Sequence, residues 1–144
     1  MKHRVAVLHG INLDALDRRP AQHYGGLTYT QLEQRITAFG RELGLTVACF
    51  QSNHEGEFVE ELHKTPDYAD GIVINPGAWT HYAWSLRDAV EIAGLPTIEV
   101  HLSDVDAREA FRQVSVLEGV RAGKVSGRGP DGYRDALALL KEAW

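Results

Sequence analysis

Short apolar runs alternate with segments of helical spacing along the whole chain, and this alternation limits the fold more than any other feature. The runs span residues 4–8, 45–50, 71–74, 97–100 and 120–125. Residues 5–8 and 72–74 are continuously apolar, which is typical of strands buried on both faces of a parallel sheet. The pattern predicts one α/β domain over residues 1–144, with a flavodoxin-like doubly wound parallel sheet.

The segments between the runs carry apolar residues at intervals of three or four. The clearest takes Thr30 as its N-cap, places Leu32, Ile36 and Phe39 on one face, and closes at Gly44. Further helices are predicted over residues 57–63, 84–93, 106–113 and 133–144. Residues 12–28 lack such spacing, and because long unpatterned stretches in compact domains are often functional, we interpret this one as a candidate mobile lid.

Composition excludes several classes of protein. With 15 basic residues scattered among 20 acidic ones, the net charge of -5 makes nucleic acid an improbable partner. The single cysteine, Cys49, has no partner for an internal disulfide and lies in an apolar run, so we expect a buried thiol. No window has the length or apolarity of a membrane span or a secretory leader, so we expect a cytoplasmic protein.

The loop after the first run contains a candidate base. In open parallel sheets ligands bind beyond the carboxyl ends of the strands, which here precede residues 10–24, 75–81 and 101–112. Asn12, Arg18, Arg19 and Tyr24 lie in the first of these loops, and an arginine beside a tyrosine favours its phenolate form. The alternative is a surface loop with two solvated arginines.

The loop after the third run places small residues at a strand end. Asn75, Gly77, Ala78 and His81 lie within it, and its backbone N–H groups would suit a carboxylate or an oxyanion. The alternative is a tight turn that leads into a helix capped by Thr80.

The fourth run ends in a candidate acid. Strand alternation puts Glu99 and His101 on the same side, where the carboxylate can orient the imidazole and favour its charged form. The alternative is a hydrogen-bonded structural histidine. Arg108 and Arg112 are four positions apart, so they would share one face of the predicted helix 106–113 and attract an anion.

The sequence has no GxGxxG, P-loop, GxSxG, HExxH or CxxC pattern, which weakens dinucleotide, nucleotide and serine-hydrolase interpretations. The remaining histidines show no tight ligand spacing, so the sequence does not support a metal site and we expect none. They are His3, His9, His23, His54 and His63.

Five segments together resemble one family. They read HGINLDALDRRPAQHYGG, FQSNHEGE, NPGAWTHYAWSLRDA, IEVHLSDVDAREAFR and GRGPDGYRDAL. In order and spacing they are similar to the type II 3-dehydroquinate dehydratases, over nearly the whole chain. The resemblance implies the same flavodoxin-like fold and an anti elimination of water from 3-dehydroquinate through an enolate. It implies neither a cofactor nor a Schiff base.

The resemblance also assigns roles to individual residues. It implies that Tyr24 is the base, that Arg19 keeps it ionised, and that His101 is the acid with Glu99 behind it. Asn12 would help to hold the enolate. Substrate would be held by Asn75, Gly77, Ala78, His81, Leu102, Ser103, Arg108 and Arg112. Asp88 would reach the site of a neighbouring subunit in a homo-oligomer, a dodecamer built from trimers.

Some positions depart from the family pattern, mostly around the first loop. They are His9, Ile11, Asp14, Asp17, Pro20, Ala21, Ala83, Trp84 and Asp104. The presumed reacting groups are all present, so we expect turnover to survive while ordering of the first loop is altered. Two alternatives remain at this point: a non-catalytic relative that binds a small molecule, and an FMN-binding domain of the same fold.

Overall fold

The computed structural model describes residues 1–144 and contains one five-stranded parallel sheet. The strands are β1 Arg4–His9, β2 Thr46–Gln51, β3 Gly71–Asn75, β4 Thr97–His101 and β5 Gly123–Ser126. Their spatial order is β2-β1-β3-β4-β5, and every neighbouring pair is parallel. The predicted flavodoxin-like doubly wound architecture is therefore confirmed, with its switch point between β1 and β3.

Helices cover both faces of the sheet. They are α1 Ala21–Tyr24, α2 Tyr29–Glu42, α3 Glu55–Tyr68, α4 Trp84–Ala93 and α5 Asp131–Glu142. Alternation along β1 sends Val5 and Val7 into a core with α2 and α5, and Ala6 and Leu8 into a second core with α3 and α4. Burial on both sides is why the central strands read as unbroken apolar runs.

The N-cap of helix α2 is Thr28, two residues earlier than predicted. The Thr28 hydroxyl accepts the N–H of Gln31 at 3.1 Å, and the Gln31 side chain accepts the Thr28 N–H at 3.0 Å. This reciprocal capping box satisfies two orphan donors, so the prediction of Thr30 as the cap was wrong. At the other end Gly44 adopts φ 74°, the left-handed conformation expected of a residue that closes a helix.

Helix α3 runs five residues beyond its predicted end, through Pro66. Proline has no N–H for the carbonyl one turn earlier, which normally ends a helix. Here the Thr65 hydroxyl donates to the Leu62 carbonyl at 2.7 Å and replaces the missing donor.

Other corrections concern short segments. The prediction of a helix over residues 106–113 is wrong: two separate 3-10 turns, Val105–Ala107 and Ala110–Gln113, flank an extended Arg108.

Cys49 is half-buried instead of buried, because β2 is an edge strand. Burial and the charge of Glu33 raise the pKa of its thiol to about 12. None of the helices is both long enough and apolar enough to cross a bilayer.

Candidate active site

A cavity opens at the carboxyl ends of β1, β3 and β4, next to the switch point of the sheet. Its lining comprises Ile11, Asn12, Leu13, Leu16, Arg19, Tyr24, Asn75, Gly77, Ala78, His81, His101, Leu102, Ser103, Val105, Arg108 and Arg112. Twelve of the fourteen sequence-predicted site residues are in this set. Glu99 lies directly behind His101, whereas Asp88 lies outside the cavity on the exposed face of α4.

The first loop has more order than its sequence indicated. A 3-10 segment, Leu13–Arg18, is anchored by the buried Leu13 and Leu16, and α1 follows it directly. The Pro20 carbonyl accepts the N–H groups of His23 at 3.0 Å and Tyr24 at 3.1 Å. Pro20 thus starts the helical turn that carries Tyr24 into the cavity.

Two arginines converge on the Tyr24 hydroxyl. Arg19 Nη2 donates to it at 2.6 Å, and Arg108 Nη1 donates at 2.8 Å. The Arg19 guanidinium also lies 4.2 Å from the centre of the tyrosine ring. Two positively charged donors therefore meet at one phenolic oxygen.

On the opposite wall, His101 is bound to a buried carboxylate. Its Nε2 lies 2.5 Å from Glu99 Oε2, as the strand alternation predicted. Thr80 Oγ1 donates to the same oxygen at 2.5 Å, while Ser115 Oγ at 2.8 Å and Arg121 Nη1 at 2.6 Å donate to Glu99 Oε1. Because Nε2 is occupied, Nδ1 is the ring nitrogen left for a ligand.

Burial alone would raise the pKa of Glu99. The hydrogen bond and charge of His101, with the hydroxyls of Thr80 and Ser115, outweigh burial and lower this pKa to about 2. Glu99 is therefore a carboxylate at neutral pH, and it fixes the orientation of the imidazole.

The loop after β3 shapes the floor of the cavity. Asn75 donates from Nδ2 to the Tyr133 hydroxyl at 3.0 Å and accepts the Gly77 N–H at 3.2 Å. Gly77 has φ 64°, and a Cβ there would lie 2.6 Å from the Ile11 carbonyl oxygen, so only glycine fits. The Gly77 N–H is therefore committed to Asn75 and is not free for an anion.

The alternative interpretation of this loop was wrong for Thr80. Thr80 lies within the 3-10 segment Gly77–His81 and caps no helix. Its hydroxyl donates to Glu99 on β4. His81 Nδ1 lies 2.7 Å from the Val114 carbonyl, which leaves Nε2 as its second ring nitrogen. Burial lowers the pKa of His81, so the neutral ring is favoured.

Asn12 adopts a left-handed conformation, φ 72°, and no other non-glycine residue has a positive φ. Its N–H donates to Asn53 Oδ1 at 2.8 Å. Gln51 Nε2 also donates to that oxygen at 3.1 Å, and Asn53 Nδ2 donates to Asp14 at 3.0 Å. Asn53 thus holds the backbone of Asn12 at the cavity edge.

The remaining cationic residues reach the cavity from the segment after β4. Arg108 Nη1 lies 3.3 Å from the Ser103 hydroxyl as well as near Tyr24. Arg112 is paired with the exposed Glu109 at 2.5 Å. The two arginines line one cavity although they do not share a helix.

His9 does not line the cavity but lies beneath it. It is fully buried, with Nδ1 3.0 Å from the Tyr29 hydroxyl and Nε2 without a partner. Burial lowers the pKa of His9 to about 3, opposed in part by the Phe50 backbone, so the ring is neutral at neutral pH. Its ring packs 5.5 Å from that of Tyr133, the residue that holds Asn75.

Sequence reasoning missed the residues that hold the predicted ones. They are Asn53, Thr80, Ser115, Arg121 and Tyr133. Asn53 lies in a segment that resembles the family, which was a usable signal. Ser115 lies between the predicted helix 106–113 and the predicted strand 120–125 and carried no such signal. Arg121 was placed inside that predicted strand, but β5 begins only at Gly123, so Arg121 precedes the strand and is free to reach Glu99.

The fold and cavity define an α/β protein with a tyrosine supported by two arginines facing a histidine supported by a glutamate, a set suited to proton transfer on a small anionic ligand. The chain belongs to the dehydroquinase class II family, whose model matches residues 3–141.

Relatives and solved structures agree with this assignment. A 3-dehydroquinate dehydratase from Pelobacter propionicus is 45% identical over 140 residues, covering 96% of this chain and 94% of the relative. The type II dehydroquinase structure from Butyrivibrio crossotus has a TM-score of 0.92 at 39% identity, covering 97% of this chain and 98% of the other. That from Propionibacterium acnes has a TM-score of 0.91 at 40% identity, covering 99% and 98%. These matches support the dehydratase interpretation. They give no support to the FMN-binding or the non-catalytic alternative.

Proposed function

We propose that the protein catalyses the dehydration of 3-dehydroquinate to 3-dehydroshikimate, either in aromatic amino acid biosynthesis or in quinate catabolism. The observation that carries this proposal is the pair of Tyr24, with its two arginines, and His101, with its glutamate, on the lining of one cavity. Relatives that match nearly the whole chain bear the name 3-dehydroquinate dehydratase.

In the first step Tyr24, as the phenolate, takes a proton from the carbon next to the substrate ketone. The electron pair of that C–H bond moves toward the ketone, which becomes an enolate. Arg19 and Arg108 keep the tyrosine oxygen ionised before the transfer. Asn12 helps to hold the enolate oxygen from the edge of the cavity.

In the second step the enolate expels the hydroxyl group, and His101 donates the proton that turns it into water. A ring proton on Nδ1 faces the substrate while Glu99 holds Nε2. The carbon–oxygen bond breaks as the conjugated double bond forms. One proton has passed to Tyr24 and one has left His101, so a final transfer through water restores both groups.

The substrate carries a carboxylate and several hydroxyls, for which the cavity supplies partners. Arg112 provides a positive charge, and Asn75, His81 and Ser103 provide polar groups. Gly77, Ala78 and the Leu102 backbone complete the surface against which the ring rests. Side chains thus supply base, acid and charge stabilisation, so the proposed reaction requires no cofactor.

The direct test is to mix purified protein, treated with a metal chelator, with 3-dehydroquinate and follow the ultraviolet absorbance of the conjugated product. We expect a rise that is proportional to enzyme concentration and unaffected by the chelator. Folded protein that binds 3-dehydroquinate without any rise would favour the non-catalytic alternative. Colour with a flavin spectrum in the purified protein would favour the FMN-binding domain.

We also propose a homo-oligomer, a dodecamer built from trimers, in which Asp88 approaches a neighbouring site. The support is an exposed face of α4 on which Asp88 lies between Trp84, 62% exposed, and Ile92, 66% exposed. Apolar side chains so exposed are typical of an interface. We propose neither nucleic acid nor a membrane as a partner.

Light scattering tests the assembly, with an expected mass twelve times that of one chain. Trp84→Glu would place a charge in the interface and is expected to give smaller species. Leu139→Glu is the matched control, since Leu139 is 38% exposed on α5. A monomeric wild type, or no effect of Trp84→Glu, would contradict the assignment of this face.

We further propose a cytoplasmic location, where an unpaired cysteine such as Cys49 stays reduced.

A further inference from the structure

Glu99 lies between two groups that can carry positive charge. His101 contacts Oε2, whereas Arg121 contacts Oε1, and the carboxylate itself is fully buried. His101 gains and loses a proton, but arginine remains charged at any pH that a folded protein tolerates. One negative charge is therefore shared between a permanent cation and a titrating one.

Arg121 is well fixed in this position. It precedes β5, its backbone N–H donates to the Leu117 carbonyl at 3.0 Å, and its side chain is only 16% exposed. Its Nη1 donates both to Glu99 at 2.6 Å and to the Ser115 hydroxyl at 2.9 Å. The guanidinium does not line the cavity, so it acts on substrate only through Glu99 and His101.

We propose that Arg121 is a positioning residue for the acid: it fixes the Glu99 carboxylate against His101 and offsets part of that carboxylate's attraction for the imidazolium. Without it, an isolated buried carboxylate would hold the proton of His101 more tightly, and proton donation would slow. With it, Glu99 orients the ring yet leaves it able to release the proton. This role rests on the proposed dehydratase function.

Other charged and titratable groups surround His101. Glu99 is its neighbour on β4, His81 and Arg112 come from the two flanking 3-10 segments, and Tyr24 and Arg108 line the same cavity. A substitution at Arg121 leaves all of them in place. A change in the titration of His101 is then attributable to Arg121.

The test measures the titration of the His101 ring directly, with histidine labelled with carbon-13 at Cε1 and assigned by loss of the signal in His101→Gln. Arg121→Gln keeps a donor without the charge, and Arg121→Met removes both. We expect either variant to move the His101 midpoint to higher pH by roughly half a unit or more, because a nearby positive charge disfavours the imidazolium. Arg121→Lys should stay near the wild type.

Arg87→Met is the matched control. Arg87 donates to the carbonyls of Val116 and Glu118 in the same segment but makes no contact with Glu99. Its substitution disturbs the segment without altering the charge on the carboxylate. We expect the His101 midpoint to remain in place.

Activity provides the second measurement. Because the acid must be protonated, the alkaline limb of the kcat profile should move upward with the ring titration in Arg121→Gln, while kcat below that limb falls by about three- to tenfold. A His101 midpoint that does not move in folded Arg121→Gln and Arg121→Met would overturn the proposal. An equal shift in Arg121→Lys would also overturn it, since the charge would then not be the cause. The ring titration needs no turnover, so failure of the dehydratase function would be seen separately.

Discussion

Tyr24→Phe is expected to lower kcat by about 10³-fold or more while KM changes by only a few-fold. The substitution removes one oxygen and leaves the ring, which stacks against Arg19, in place. Without that oxygen no phenolate can form, and Arg19 and Arg108 lose the oxygen to which they donate. The loss should therefore fall on the chemical step and not on binding.

Steady-state kinetics with 3-dehydroquinate, followed by product absorbance, measure this effect. Tyr68→Phe is the matched control, because Tyr68 donates its hydroxyl to Glu61 on α3 and does not line the cavity. It should retain wild-type kcat. A Tyr24→Phe enzyme within tenfold of wild-type kcat would exclude the tyrosine as the base and direct attention to another group in the cavity.

Strand positions and strand-end chemistry could be predicted from the sequence because both depend on local rules. A strand buried on both faces must be apolar throughout, so β1 and β3 are visible as runs. Strand alternation then fixes Glu99 and His101 on one side, whatever surrounds them. The parallel order brings the loops after β1, β3 and β4 to one edge.

The errors arose where tertiary contacts decide local structure. Spacing suggested a helix over residues 106–113, but Arg108 breaks it by extending to reach Tyr24 and Ser103 across the cavity. Likewise α3 passes through Pro66 because a hydroxyl substitutes for the missing donor, a compensation that periodicity alone does not reveal.

The supporting residues could not be predicted for a related reason. Thr80 reaches Glu99 from the loop after β3, whereas Ser115 and Arg121 reach it from the segment before β5, and nothing in their local sequence marks them as partners of one carboxylate. The need for such partners is evident only once Glu99 is known to be fully buried, because a buried charge must be paired and hydrogen-bonded.

His101→Ala is expected to lower kcat by about 10²- to 10⁴-fold, the range for loss of a general acid. The hydroxyl would then have to leave without a proton from the protein. Removal of the imidazole also leaves Glu99 Oε2 with only the Thr80 hydroxyl as a partner. Circular dichroism should accompany the kinetics, and His63→Ala, an exposed histidine on α3, is the control expected to retain activity.

A double-mutant cycle separates the role of Glu99 from that of His101. Glu99→Gln alone should reduce kcat because an amide neither holds the ring in the same way nor carries the compensating charge. If Glu99 acts only through His101, adding Glu99→Gln to His101→Ala should change kcat by less than about threefold, since residues that act as a unit are not additive. Fully additive losses would show that Glu99 has a separate role in catalysis, and the acid would then be more than a histidine held in place by its carboxylate.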